Sequence, residues 1–315
     1  MRVIDAAEVH ATLDFAGLIE ALRRAHLGAM PKHGLRLAFE EANEDAQPDR
    51  FIIIPAWEPG EGILAKFTTS FPRNKDLNGL PTVNSVYAFL NGKTGVTEAV
   101  IDGEAMIFRK TSSDSALGSK LLSREDAETM VMVGTGSLAP YLVAAHRTAR
   151  PSIRRVLVWN RTVESADALS AKLRTDGVDA TSTRDLSAAL EQADIVSSAT
   201  MATSPIILGA HLKPGAHVDL VGSFTPEMRE SDDKVMRRAA IFVDHRQTTE
   251  RSGEFLGPFE RGVISPSDVL GDLFELCQGK VPGRTSDSQI TLMKNGGGSH
   301  LDYFATRYLM DRLAA

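Results

Sequence analysis

With 315 residues, 43% of them apolar and 24% charged, the chain has the length of two domains and an ordinary globular composition. Its net charge of −6, with Lys and Arg scattered along the chain, gives no footprint for nucleic acid or an anionic membrane, and no apolar run approaches the ~18 residues that span a bilayer. The lone Cys277 excludes an internal disulfide and argues against a thiolate zinc site; with no apolar signal-peptide core after Met1-Arg2-Val3-Ile4-Asp5, a reduced cytoplasmic protein is expected.

Residues 1 to about 34 read as helical. Asp14 is the N-cap candidate, Leu18, Ile19, Leu22 and Ala25 recur at helical spacing, and Pro31 and Gly34 end the run. Short β-type runs follow at Leu35 to Phe39, Phe51 to Ile54, Ile63 to Phe67, Ser85 to Leu90 and Val96 to Ile101. Turn chemistry separates them at Pro59-Gly60, Asn78-Gly79 and Asn91-Gly92, and Asn91 to Gly95 marks a hairpin. This region is expected to be antiparallel α+β.

Ser113 to Leu122 reads as a connecting helix. Strands are then expected at Thr129 to Val133, Arg155 to Val158, Val178 to Thr181, Ile195 to Ser198, His217 to Leu220 and Ala240 to Val243. Helical stretches such as Glu164 to Leu173 and Leu186 to Gln192 lie among them. Such alternation predicts a doubly wound parallel sheet of Rossmann type. Cys277, beside Leu273, Phe274 and Leu276, is expected to act as a buried small hydrophobe. A glycine-rich approach, Asn295 to Gly298, leads into a helix from His300 to Leu313 with Leu301, Ala305, Tyr308 and Leu309 on one face. That helix is expected to return to the first domain. The expected organisation is a discontinuous substrate and dimerisation domain, 1–112 with 295–315, around a dinucleotide-binding domain, 113–294.

Gly134-Thr135-Gly136-Ser137-Leu138-Ala139 follows the Thr129 strand and has the form G-x-G-x-x-A. A glycine turn joining a strand to a helix lets backbone N–H groups and the helix dipole meet a pyrophosphate. The helix is expected to open at Ser137; the plain alternative is a tight turn before a packed helix. At the end of the next strand, where an acid accepts the ribose hydroxyl of NAD, Asn160-Arg161-Thr162 stands instead. Arginine and threonine suit a 2′-phosphate, so NADPH is the preferred cofactor, with NADH the alternative, unless Arg161 is only a solvated charge. Ser198-Ala199-Thr200 and Leu220-Val221-Gly222-Ser223 end two strands and are second-tier cofactor contacts, with Thr200, Val221 and Ser223 the candidates, or ordinary strand exits.

With these residues in place, the chain resembles the ornithine cyclodeaminase/mu-crystallin family over nearly its whole length. The resemblance rests on Ala65-Lys66-Phe67, Gly79-Leu80-Pro81-Thr82, Thr94-Gly95, Arg109-Lys110-Thr111-Ser112-Ser113, the glycine turn and Val158-Trp159-Asn160-Arg161. Lys213-Pro214-Gly215, Val221-Gly222 with Arg229-Glu230, Gly283-Arg284, and Gly297 followed by Asp302 extend it. It implies a homodimer built through the antiparallel domain and an NAD(P)-dependent enzyme acting on imino or amino acids. Cyclodeaminases of the family carry a catalytic aspartate two residues before the proline of the loop after the Val-Gly pair. Here that position is Phe224, which cannot exchange a proton, although Ser223 and Thr225 leave a hydroxyl in reach. Imine reduction needs mainly a positioned hydride.

The reading that follows is NADPH-dependent reduction of a cyclic imino acid, Δ1-pyrroline-2-carboxylate or Δ1-piperideine-2-carboxylate, to L-proline or L-pipecolate. Its rivals are an NAD-dependent ornithine cyclodeaminase, an alanine-type or N-alkyl amino acid dehydrogenase, and a mu-crystallin-like binding protein. By resemblance, Arg36, Lys66 and Lys110 bind the substrate carboxylate. The order Arg109-Lys110 departs from the family's arginine immediately before the threonine and leaves open which side chain serves. A lysine flanked by apolar residues, as Lys66 is, is unusual unless paired or functional. Thr82 and Asn295 match positions near the nicotinamide, with Lys66 and Thr82 the catalytic candidates and Lys110 also a cofactor contact. His33, His211, His217, His245 and His300 show no metal-ligand spacing, so no metal is expected. The lack of a G-x-S-x-G elbow leaves a serine hydrolase unsupported.

Overall fold

The computed structural model describes residues 1–33, 36–43 and 46–314. These divide into two compact units: 1–25, 29–110 and 298–315 form the first, and 26–28 with 111–297 the second. No helix among the described residues is long and apolar enough to cross a membrane.

In chain order the first unit holds β1 (Arg2–Ile4), α1 (Ala6–Thr12), α2 (Phe15–Ala25), β2 (Lys32–His33), β3 (Leu37–Asn43), β4 (Ala46–Glu58), β5 (Gly62–Ser70), α3 (Asn74–Asn78), β6 (Val83–Asn91), β7 (Thr97–Asp102) and the start of α4 (Gly103–Leu122). The seven strands form one sheet in the order β1-β7-β6-β5-β4-β2, with β3 also on β4. All pairs are antiparallel except β1 on β7, which is parallel. The Asn91 hairpin forms as expected, its Asn91 carboxamide accepting from the N–H groups of Lys93 and Thr94.

Three expectations change here. The N-terminal stretch is not wholly helical, because Arg2–Ile4 extends along β7 before α1 begins. Asp14 does cap α2, accepting from Gly17 N at 2.7 Å. The strand expected from Leu35 is found from Leu37, while Leu35 itself and Gly34 lie outside the described residues. The helix expected from Ser113 starts ten residues earlier, at Gly103, because Asp102 ends β7 and its carboxylate caps the new helix at Ala105 N, 2.8 Å away. Arg109 and Lys110 therefore stand in mid-helix.

The second unit holds β8 (Thr129–Val133), α5 (Ala139–Ala149), β9 (Arg155–Trp159), α6 (Val163–Thr175), β10 (Asp179–Ser182), α7 (Leu186–Leu190), β11 (Ile195–Ser198), β12 (His217–Leu220), α8 (Asp233–Arg238), β13 (Ala239–Val243), α9 (Gly253–Glu260), β14 (Val269–Asp272), α10 (Leu273–Cys277) and β15 (Ile290–Lys294). A closing helix, α11 (Ser299–Ala314), belongs to the first unit and packs on α2, β4 and β5. The sheet is parallel throughout, in the order β10-β9-β8-β11-β12-β15-β13-β14. Its centre is buried on both faces, which explains the unbroken apolar run Met130–Val133: Met130 and Met132 pack with Leu142, Val143 and Leu169, while Val131 and Val133 pack with Val196, Val218 and Leu220. Two strands were not foreseen, β14 and β15, and β15 is central. Cys277 is partly exposed, not fully buried, at the end of α10.

Candidate functional site

Strand order reverses between β8 and β11, and in open α/β sheets the crevice outside the carboxyl ends at such a point receives ligands. Gly134 leaves β8 at φ +100°, and a Cβ there would stand 2.7 Å from Ala199 O. Only glycine fits that turn. At Gly136 a Cβ would meet nothing within 4 Å, so the backbone borders open space. Helix α5 starts at Ala139, two residues later than expected, with Pro140 in the first turn where its missing N–H costs nothing. Ser137 and Leu138 lie in the turn, Ser137 exposed.

A pocket of about 360 Å³ opens beside this turn. Gly134, Thr135, Gly136, Asn160, Arg161, Thr162 and Thr200 line it, with Trp159 and Ala199 from the same sequence motifs, together with Met201, Ala202 and Ile206, which sequence reasoning did not single out. No carboxylate stands among these lining residues, and Arg161 and Thr162 are exposed at its edge. A bare glycine backbone facing open space, a helix start and an arginine fit the phosphates of a dinucleotide.

The remaining cofactor candidates are placed differently. Val221 N donates to Ser198 O. The Ser223 side chain is buried and its hydroxyl donates to Met228 O. Asn295 is buried, its amide donating to Thr111 O and Ser115 Oγ at 3.1 Å each. Phe224, in contrast, is 55% exposed on the loop after β12.

In the first unit, the side chains of Lys66 on β5, Tyr87 on β6 and Lys110 on α4 converge on Asp302 of α11. Lys66 Nζ donates to Asp302 Oδ2 at 2.6 Å, Tyr87 OH donates to Oδ1 at 2.6 Å, and Lys110 Nζ lies 3.1 Å from Oδ1. Asp302 is 1% exposed and Lys66 12%. Burial alone would raise the Asp302 carboxyl, but Lys110 and Lys66 hold it well below the usual range. Burial lowers the Lys66 ammonium; Asp302 works against this, while Lys110 and Arg36 add to it. Two ammoniums thus share one carboxylate, leaving a buried surplus of positive charge suited to a second, exogenous carboxylate.

Arg109 and Lys110, adjacent in the sequence, have different partners. Arg109 turns away to His10, donating to its ring Nδ1 at 3.1 Å and its carbonyl at 3.0 Å, with the guanidinium 4.7 Å from the Phe15 ring centre. Lys110 joins Lys66. Arg36 is exposed and acts on Lys66 through its charge. Thr82 is half-buried just before β6, its carbonyl accepting from Phe71 N. Asp302 and Tyr87 were not read as site residues, although an acid within the apolar face of the last helix is a detectable anomaly.

Fold and pocket define a doubly wound α/β chain of Rossmann type with a second, mostly antiparallel sheet. The sequence profile of the ornithine cyclodeaminase/mu-crystallin family matches residues 3–315, and the chain belongs to that family. It is 41% identical over 298 residues to the Δ1-pyrroline-2-carboxylate reductase of Paracoccus denitrificans, covering 94% of this chain and 92% of that one. It is 39% identical over 282 residues to Protein SAR DEFICIENT 4 of Arabidopsis thaliana, covering 87% and 86%. In fold it matches the Thermococcus litoralis Δ1-pyrroline-2-carboxylate reductase, solved with NADH and L-proline, with a TM-score of 0.92 over 100% of this chain and 98% of that one, at 24% identity.

Proposed function

We propose that this chain is an oxidoreductase that reduces the C=N bond of a cyclic imino acid, Δ1-pyrroline-2-carboxylate or its six-membered piperideine analogue, to L-proline or L-pipecolate. The observation that carries the reading is the buried pair of lysines on Asp302, a fixed cationic seat for a small carboxylate. The curated relative at 41% identity supports the substrate class.

Gly134, Thr135 and Gly136 would hold the pyrophosphate of a nicotinamide dinucleotide, with Thr200 on the facing wall. Bound there in reduced form, the dinucleotide supplies a hydride. Lys66 and Lys110 fix the substrate carboxylate, which aims the imine carbon and keeps the ring from turning. As C=N becomes CH–N, its electron pair moves onto nitrogen, already protonated in the iminium. Where the imine arrives neutral, Lys66 is the proton source, its ammonium being more acidic than an ordinary lysine. Asp302 stays ionised throughout and keeps both lysines in place. The Thr82 hydroxyl is assigned to the nicotinamide side of the reaction.

Arg161 and Thr162, with no acid at the end of β9, support a preference for NADPH over NADH. Leu37, Phe39 and Phe51 are exposed on β3 and β4, and Phe51 lies 6.0 Å from Phe39 and 6.3 Å from Phe67 between ring centres. This apolar face supports a homodimer through the first unit; sedimentation as a monomer at micromolar concentration would refute it.

The test is product analysis with NADPH, NADH and each imino acid. Proline or pipecolate formed in step with oxidised dinucleotide supports the reading. Ammonia from ornithine with NAD and no net reduction would identify the lyase instead, against which the exposed Phe224 argues.

A further inference from the structure

Glu230 is fully buried, and its carboxylate is filled with donors from two strand exits. Oε1 accepts from Ser198 Oγ at 2.6 Å and from both N and Oγ1 of Thr200 at 2.8 Å, while Oε2 accepts from Gly222 N at 2.7 Å. Ser198 and Thr200 lie at the end of β11, and Gly222 just past β12. A single carboxylate therefore grips the carboxyl ends of two adjacent central strands.

The neighbouring backbone reinforces the grip. Glu230 O accepts from the N–H groups of Ile206 and Ile207 at 2.9 Å each, and Arg229 N donates to Ala202 O at 2.7 Å. Thr200, Ala202 and Ile206 all line the pocket beside the glycine turn, so one wall of it is built on residues 229–230. A Cβ at Gly222 would overlap Thr200 O and the Glu230 carboxyl, so the approach requires glycine. Behind Glu230, Glu254 accepts from Glu230 N, and from Ser231 N at 3.1 Å and Ser231 Oγ at 2.8 Å.

We propose that Glu230 is a positioning residue for dinucleotide binding, touching no ligand itself and holding the Thr200–Ile206 wall and the Gly222 exit in the shape that receives the dinucleotide. This rests on the reading that the pocket binds a nicotinamide dinucleotide. Burying a carboxylate is costly unless its acceptors are filled, and here the donors that fill them come from the segments that shape the pocket and the adjoining strand exit.

Glu230→Gln tests it. Glutamine keeps the size but sets an amide donor against either the Gly222 or the Thr200 N–H, whichever way it turns. Reduced dinucleotide is titrated by fluorescence, and steady-state kinetics are measured on the folded variant. The dinucleotide Kd and KM are expected to rise about tenfold, while kcat at saturating dinucleotide stays within about twofold. A purely structural role would lower Tm and leave the Kd of the folded protein unchanged, and that result overturns the proposal. If Glu230→Gln does not fold, Ser198→Ala removes one bond to the carboxylate from a residue outside the pocket lining. A dinucleotide KM raised about threefold at unchanged kcat then supports the proposal, and an unchanged KM overturns it. Wild-type protein that bound no dinucleotide would instead remove the underlying reading, and the proposal with it.

Discussion

Lys66 and Asp302 are 236 residues apart in the chain and 2.6 Å apart in space. Their contact joins β5 to the last helix and places the surplus charge of Lys110 beside them. The first unit is thus closed by the same side chains that are assigned to the substrate.

Lys66→Met removes one of the two cations. We expect the imino-acid KM to rise at least about tenfold, the loss of one charge-assisted bond, with dinucleotide Kd unchanged. Unaltered substrate kinetics would remove Lys66 from the site.

Asp302→Asn keeps the shape and removes the counter-charge of two buried lysines. Breaking a buried ion pair from one side costs about 3–5 kcal/mol, so unfolding by urea should show a loss of this order. The same carboxyl sets an acid limit. Its folded pKa lies below the unfolded value, so its contribution is present above the ordinary carboxylate range of about 4 and is lost as pH falls below it. Wild-type stability should fall there more steeply than that of Asp302→Asn.

On the alkaline side Lys66 is decisive. Burial holds it below the ordinary lysine value of 10.5 despite Asp302, so it loses its charge earlier than a free lysine. For the imino acid, kcat/KM should drop at a pH below 10.5, and Lys66→Arg should move that limb upward because guanidinium stays charged. An identical limb in both proteins would assign the titration to another group.

Gly134→Ala meets a backbone at φ +100° and Ala199 O at 2.7 Å. We expect a loss of about 1–3 kcal/mol of stability and a dinucleotide Kd at least about tenfold weaker. Arg161→Glu, at the pocket edge, should shift the ratio of NADPH to NADH affinity toward NADH by about tenfold or more.

Much of the second unit was legible: β8 shows the apolar run Met130 to Val133 of a strand buried on both faces, and β11 and β12 stand where the shorter runs Ile195 to Ser198 and His217 to Leu220 place them, between helical stretches, although Ser197, Ser198, His217 and Asp219 are polar. Central β15 was hidden by Thr291 and Lys294, which are buried yet polar because Thr291 bonds to Leu122 O and Lys294 to Leu220 O and Asn295 O. The first ten residues of α4 were missed because no loop separates it from β7. At the site, the glycine turn is local and readable, and Lys66 announces itself as a cation in an apolar strand. Asp302 shows only as an acid on an apolar helix face and Glu230 not at all, since what gives both their meaning is donors brought in by tertiary contact. The same holds for Arg109, whose sequence position resembles that of Lys110 but whose guanidinium belongs to His10 and Phe15.

The most direct measurement follows the hydride itself. Reduced dinucleotide carrying deuterium in both C4 positions is incubated with the chain and Δ1-pyrroline-2-carboxylate, and the product is read by mass spectrometry and NMR. Reduction at the imine predicts L-proline with one deuterium on its α-carbon and one equivalent of oxidised dinucleotide. Proline without label, or no turnover of Δ1-pyrroline-2-carboxylate or of the piperideine analogue run in parallel, with ammonia released from ornithine and NAD, would contradict it.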